Sequence, residues 1–423
     1  MFPARELMLA VLRLLPLVIL EPSVAGVFWL IVLLTVMQYK RLAANEERIY
    51  GAVKNSFMEM SVSGLLYGLV GGIVASLLLV FVGVSLTGSG ISYLLPLAFL
   101  LYMINPRLMC FSYAGGIVSL SNLLFGWPRV SVPGIMALVG VLHITESVLI
   151  RVSGSGCSTP VYLRSRSGRT VGGFSLQRFW PMPLVALVML ALPDPSQVTG
   201  LIQMPDWWPL VRPAEAANMP DALFAMWPIV AALGYSDVAV TCPPAQKARR
   251  TSLILGAYSV SLLGLAIASA FVSPLQWVAA LFGPLGHELV IAMGSRRELS
   301  GVPAFVPPER GVMVLDVLPG SPAQTAGLRT GDIVTEVTGT PVNTRDELRE
   351  MVRQTPVFLE LSVRRGGDEQ PRDVRFRGVI DDLGIIPVPE EGDPPHVELG
   401  GFSPGKRFVG RLRTAVERLL GRR

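Results

Sequence analysis

Two of the three histidines in this 423-residue chain sit inside apolar runs, each beside an acid: His143 with Glu146 three residues on, and His287 followed directly by Glu288. Ionisable groups in hydrocarbon are expensive, so both pairs are candidates for chemistry. His143 and Glu146, at i and i+3, would share one face of a helix. A membrane zinc protease needs H-E-x-x-H, in which two imidazoles one turn apart hold the metal and the glutamate acts as general base. The run Gly286-His287-Glu288-Leu289-Val290-Ile291 puts Ile291 where the second imidazole belongs. His143, Glu146, His287 and Glu288 could complete a metal site if their helices touch. The expectation is nevertheless that no metal, cofactor or catalytic residue is present, and that these groups hydrogen-bond helices together, worth about 1–2 kcal/mol at most.

Other chemistries leave no trace in the residue order. There is no Ser/His/Asp arrangement, no G-x-x-x-x-G-K-[ST] phosphate loop and no G-x-G-x-x-G after a strand. Asp194, in Leu192-Pro193-Asp194-Pro195, reads as a loop turn. Cys110, Cys157 and Cys242 are odd in number and widely spaced, which excludes a disulfide framework and any CxxC motif. They are expected as reduced thiols.

The elements that must carry these residues are apolar. The chain is 51% apolar and 16% charged, with a mean hydropathy of +0.51, whereas soluble proteins carry about a quarter charged residues. An ordinary cytosolic enzyme is thereby excluded. The net charge of +5 is small and dispersed, which argues against a nucleic-acid partner. A hydrocarbon core takes about 20 apolar residues of helix. Candidate spans are Val24–Met37, Ser63–Leu86, Ile91–Ile104, Leu108–Phe125, Val132–Ile150, Pro181–Ile202, Leu223–Val240, Ser252–Val272 and Pro274–Met293. Nine is an upper number, because Pro96, Pro193 and Pro195 suggest half-helices or re-entrant pieces. Leu7–Leu20, with Arg13 and Pro16, suits an interfacial or hairpin helix better than a cleaved signal peptide.

Thirteen Lys and Arg between Lys40 and Arg250 fall in one set of alternate loops, and only Arg129 and Arg212 in the other. Positive short loops stay in the cytoplasm, so everything after Met293 is expected there. The outer loop Gln203–Ala222 carries Asp206, Glu215 and Asp221, and Trp207-Trp208 suits an interfacial belt.

After Arg297 the pattern becomes charged, alternating and punctuated by glycine. Val312–Val317, Ile333–Val337 and Phe358–Arg364 read as strands, and Thr344–Arg353 as an amphipathic helix capped by Thr344 with Glu347 three residues on. The order Leu-Pro-Gly-Ser-Pro-Ala, Ala-Gly-Leu, Gly-Asp-Ile-Val and Gly-Thr-Pro-Val resembles a bacterial PDZ domain. Such domains add an extended peptide to a sheet edge beside a helix. The Leu-Gly-Ile loop expected before the first strand stands instead near the end, as Asp382-Leu383-Gly384-Ile385-Ile386, which implies a circularly permuted strand order. The inferred peptide groove uses Leu383, Gly384, Ile385 and Ile386 against Leu348, Met351 and Val352 of the helix. Pro387 limits ladder pairing beyond Ile386.

The expected fold is thus a polytopic α-helical membrane protein with a C-terminal α+β domain. Residues 1–297 form the membrane domain, 302–389 the permuted PDZ domain, and 390–423 a linker and tail. The linker Val388–Gly400 looks flexible. The tail Phe402–Arg423 carries seven cations against Glu417 with apolar residues at helical spacing, which suits an anionic lipid leaflet.

Together with Met109–Gly116, Val171–Gln177 leading to Phe179-Trp180-Pro181, and Gly286–Leu289, this arrangement resembles the membrane-anchored PDZ proteins of Gram-positive bacteria of the MinJ type. The resemblance implies a non-enzymatic adaptor linking a DivIVA-like polar scaffold to a MinCD-like division inhibitor. The alternative from the residues alone is a divergent intramembrane metallopeptidase of the site-2 type with a PDZ domain.

Overall fold

A computed structural model describes residues 2–165, 168–190, 201–211, 223–354, 358–366 and 371–398. The N-terminal half runs α1 (Ala4–Leu20), α2 (Pro22–Tyr50), α3 (Phe57–Val82), α4 (Ile91–Ile104), a 3-10 turn (Pro106–Met109), α5 (Phe111–Phe125), α6 (Val132–Ser153), β1 (Ser158–Arg164), β2 (Thr170–Leu190), β3 (Leu223–Ala239), α7 (Pro244–Phe271) and α8 (Leu275–Ser300). Then follow β4 (Val312–Val317), α9 (Pro322–Thr325), β5 (Ile333–Val337), β6 (Thr340–Pro341), α10 (Arg345–Gln354), β7 (Phe358–Arg364), β8 (Arg372–Arg377), β9 (Ile385–Pro387) and β10 (Val397–Glu398).

Among the described residues, α2, α3, α6, α7 and α8 are long and apolar enough to cross a bilayer. Proline in the first turn of α2, α6 and α7 starts each helix where a missing N–H costs nothing. Leu30, Leu33 and Leu34 on α2 and Leu281, Leu285 and Leu289 on α8 remain exposed, an apolar surface suited to lipid rather than water. With 14 residues, α4 is about 21 Å long and cannot cross a core of about 30 Å. It turns at Pro106–Met109 and returns as α5 to the side it left, where Ser131 N–H donates to Gly88 O (2.7 Å) and Tyr93 packs on Trp127. The pair is a re-entrant hairpin whose tip lies beside the middles of α6 and α8.

Two expected helical spans are strands where they are described. Pro181–Leu190 and Leu223–Ala239, from the spans Pro181–Ile202 and Leu223–Val240, lie in an antiparallel β2–β3 pair joined in register from Phe174↔Ala239 to Leu190↔Leu223, in a sheet of order β10-β1-β2-β3. A continuous apolar run does not distinguish a buried strand from a buried helix by periodicity. The clue lies in Pro181 and Pro183, two apart, each of which would cost a helix interior about 3 kcal/mol or more.

Beyond Leu176 the β1 side of β2 has no strand partner and faces α3. An open strand edge at membrane depth must have its backbone groups satisfied. Phe179 N–H donates to the Tyr39 hydroxyl (2.9 Å), Val185 N–H to Ser76 Oγ (2.8 Å) and Met189 N–H to Thr87 Oγ1 (2.9 Å). Leu86 N–H donates to Leu187 O (2.7 Å). Pro181 and Pro183, on the same edge, have no N–H to strand. Gly64, Gly68 and Gly72, one turn apart on α3, let the helix backbone lie directly against this edge: a Cβ at Gly68 or Gly72 would sit 2.1 Å from Pro181 O or Pro183 O.

The C-terminal sheet has the order β8-β7-β5-β4-β9, with β6 hydrogen-bonded to β5. The last main strand in the chain is therefore an edge neighbour of the first, as permutation requires. Leu348, Val352, Leu361 and Val334 form its core. The buried Asp332 carboxylate accepts two hydrogen bonds from Arg365 (2.7 Å each) and one from Arg329 N–H (2.9 Å), which closes the Gly331-Asp332 turn.

This domain is docked on the membrane half rather than tethered to it. Leu315, Ile386 and Val388 are buried in the same cluster as Tyr162 and Phe174. Lys54 pairs with Asp316, whose carboxyl burial pushes up and the Lys54 ammonium pulls back down. The segment 388–398, expected to be flexible, is held as a strap: β10 pairs in parallel with β1, Arg345 binds Asp393 through both terminal nitrogens (3.2 Å each), and Tyr162 Oη donates to Pro387 O (2.9 Å). Glu390 accepts Arg345 N–H (2.6 Å) and Asp393 takes its guanidinium, partners that composition does not reveal. The tail 402–423, Asp194, Arg166, Arg212, Glu215 and Asp221 lie outside the described residues.

The strap carries a pH dependence. His396 stacks on Tyr162 (centroids 4.6 Å apart, planes at 7°) and its Nδ1 accepts Tyr162 N–H at 3.3 Å, which requires Nδ1 unprotonated. Desolvation by that stack holds its pKa below 6.5, against the opposing pull of Asp393. Because the folded value is depressed, the unfolded strap binds the proton first. The contribution is complete above about 6.5 and is lost as pH falls from there. Hydrogen exchange, corrected for intrinsic rates, is expected to show less protection in 388–398 at acidic than at neutral pH, and His396→Phe to abolish the difference. Equal protection in wild type at both pH values would contradict the assignment.

Candidate functional site

A groove lies between β9 and α10. α10 starts with a capping box: Glu347 N–H donates to Thr344 Oγ1 (3.2 Å), and Glu347 Oε2 accepts from the N–H groups of Asn343 (2.7 Å) and Thr344 (3.2 Å), which hold its pKa below the usual carboxylate value. Amphipathic spacing buries Leu348 and Val352 against Leu383, with Met351 and Ile385 half-buried beside them. Alternation along β9 turns Ile386 to the opposite face, where it packs on the membrane half. The lining of the groove is therefore Leu383, Ile385 and Pro387 on one side and Arg345, Leu348, Arg349, Val352 and Arg353 on the other. Met351, Gly384 and Ile386, expected in the groove, are not on that lining.

Gly384 shapes the loop. Its φ is +71°, and a Cβ there would meet Ser321 Cβ at 2.3 Å, so only glycine fits. Ala323 N–H donates to Leu383 O (3.0 Å) and Leu318 N–H to Gly384 O (2.8 Å), which anchors the loop to the α9 turn. Gly384 N–H donates to the Asp382 carboxylate (2.9 Å). Along α10 the arginines at 345, 349 and 353 recur every turn and flank the apolar floor. That R-x-x-x-R-x-x-x-R spacing is legible in the sequence. Arg345 is engaged by Asp393, which raises its pKa, while Arg349 and Arg353 border the groove opposite Asp381 and Asp382.

In the membrane half the helices do touch. His143 on α6 and His287 on α8 bring their ring centroids to 5.1 Å. The third member is Cys110, which caps α5 at the hairpin tip, with Sγ 3.1 Å from His143 Nε2. Residue spacing gave no hint of it, because the hairpin alone carries it to the centre. Among the described residues, Cys110, His143 and His287 are the single group of three His, Cys, Asp or Glu donors with metal-holding geometry. Glu146 and Glu288 are not part of it: Glu288 is ion-paired with Arg107 and accepts the Tyr113 hydroxyl (2.7 Å).

Fold and groove define the class: the chain is a multi-span membrane protein with a C-terminal PDZ domain, and residues 313–365 match the family described as the PDZ domain. It is similar to the cell division topological determinant MinJ of Bacillus subtilis (strain 168), with 26% identity over 317 residues that cover 73% of this chain and 72% of that one. It is also 40% identical over 85 residues to a putative serine protease, HhoB, of Synechocystis sp., a match covering 20% of each chain. Among solved structures, the PDZ domain of an SdrC-like protein from Listeria monocytogenes is matched at 20% identity with a TM-score of 0.17, over 19% of this chain and 90% of that one.

Proposed function

We propose that the membrane half is an anchor and that the PDZ domain, facing the cytoplasm, recruits protein partners to it without catalysing a reaction. The observation that carries this reading is the edge position of β9 beside an α10 face lined by Arg349 and Arg353. An extended peptide added to that edge would gain main-chain hydrogen bonds, and the arginines would favour acidic side chains or a terminal carboxylate. Similarity to the cell division topological determinant MinJ supports a role in placing the division site; the partners proposed for that role are a DivIVA-like scaffold and a MinCD-like inhibitor. The orientation rests on the excess of Lys and Arg in one set of loops, and on this reading the tail 402–423 lies on the anionic inner leaflet. The metallopeptidase reading is weaker, since Ile291 replaces a ligand and Glu288 is engaged by Arg107 and Tyr113.

Because Leu315, Ile386 and Val388 are buried against the membrane half, the test uses the full chain in lipid nanodiscs. Fluorescent peptides ending in acidic residues, with free or amidated C-termini, are titrated by anisotropy. Binding is expected for the acidic set and is expected to weaken at least about tenfold in Arg349→Glu with Arg353→Glu, consistent with loss of two charge-assisted contacts. Binding that is indifferent to both substitutions, or no binding by any peptide, would remove the groove from the mechanism.

A further inference from the structure

Cys110, His143 and His287 converge from three different elements, and their arrangement exceeds what helix cohesion needs. His143 Nδ1 lies 2.8 Å from Val139 O, an atom that only accepts, so Nδ1 carries the proton and Nε2 presents its lone pair to Cys110 Sγ. His287 Nδ1 is buried and has no hydrogen-bond partner. A buried imidazole nitrogen left in that state is unusual and calls for a ligand or a function. Sγ and one nitrogen of each imidazole all lie within 4.8 Å of one another.

We propose that these three residues bind a divalent d-block cation, Zn(II) foremost. One thiolate and two imidazoles are a borderline-soft donor set, which disfavours Mg(II) and Ca(II). With Zn–S near 2.3 Å and Zn–N about 2.0–2.1 Å, tetrahedral donors stand roughly 3.3–3.6 Å apart, so small side-chain rotations close the present separations. The Val139 carbonyl on Nδ1 is the outer partner that a ligating histidine normally has. Binding replaces the Cys110 thiol proton, which leaves to solvent, and the imidazoles bind neutral. Three protein ligands leave a fourth position for water or another small donor. With Glu288 held by Arg107 and Tyr113, the role assigned to the ion is that of a cross-link: it joins a hairpin too short to span the bilayer to two helices that do. This site is independent of the PDZ reading.

The full chain in detergent is stripped with a chelator, then given Zn(II) or Co(II) and dialysed. The expected result is about one equivalent per chain, with a thiolate-to-cobalt charge-transfer band in the near ultraviolet. Cys110→Ser, Cys110→Ala and His287→Gln are expected to lose the load at least about tenfold, the band vanishing in both cysteine variants, while Glu146→Gln and Glu288→Gln keep load and band. Thermal melts of each variant report folding, and the small change in Cys110→Ala carries the test should His287→Gln misfold. A wild-type chain that takes up neither ion, or a folded Cys110→Ala chain with undiminished load, would overturn the site and reduce the cluster to a thiol–imidazole hydrogen bond.

Discussion

Gly68→Ala and Gly72→Ala are expected to destabilise the membrane half by about 2–4 kcal/mol each, although alanine is the better helix former. The added methyl would stand 2.1 Å from Pro181 O or Pro183 O, a backbone atom of a strand paired to β3 from Phe174 to Leu190. No side-chain rotation relieves such a clash, so α3 must move off by an ångström or more. That movement stretches the bond from Val185 N–H to Ser76 Oγ on the same helix, leaving a donor unsatisfied in an apolar setting. Gly26→Ala on α2, where nothing lies within 4 Å of the new carbon, is the control and is expected to be neutral or stabilising by up to about 1 kcal/mol. Thermal unfolding in detergent, followed by tryptophan fluorescence, compares the three. A Gly68→Ala protein melting with wild type would mean that the helix and strand do not meet.

Lys247→Met is expected to cost about 3–5 kcal/mol, the range for breaking a buried ion cluster by removing one partner. Lys247 is 2% exposed and its ammonium lies 3.2 Å from Asp237 and 3.5 Å from Glu298. Glu298 Oε2 also accepts Val240 N–H (2.8 Å), Thr241 N–H (2.9 Å) and Thr241 Oγ1–H (3.1 Å), so the cluster ties the end of α8 and the start of α7 to the exit of β3. Methionine fills the space and leaves two carboxylates without their cation. Adding Glu298→Gln to Lys247→Met removes one stranded charge while keeping an acceptor, and is expected to recover part of the loss. The same fluorescence melts decide it: if Lys247→Met unfolds within a degree or two of wild type, the triad is solvated and contributes little.

Lys247 also shows how a residue changes meaning between chain and fold. Counted along the chain it is one loop cation among thirteen; in space it is a buried counter-ion. Arg107 changes likewise, from a loop charge to the partner of Glu288 near the centre of the membrane half. The PDZ elements were largely legible, because β4, β5, β7 and α10 are short, patterned and bounded by local turn and cap signals that act over a few residues. Around the groove, Leu383, Ile385, Leu348 and Val352 share one cluster, whereas strand alternation sends Ile386 to the other face, a placement that only the fold decides.

Residue types and their local order thus established the apolar character of the front half, the change of composition after Arg297, and the permuted PDZ pattern, since hydropathy and turn chemistry are properties of neighbouring residues. Packing alone settled the rest: two apolar runs became strands once α3 glycines, Tyr39 and Ser76 served their open edge, a proline-rich linker became a docked strap, and a lone cysteine arrived beside two histidines. Each of these depends on partners more than 30 positions away along the chain, and energies that arise only when distant groups meet leave no mark on the spacing of either one.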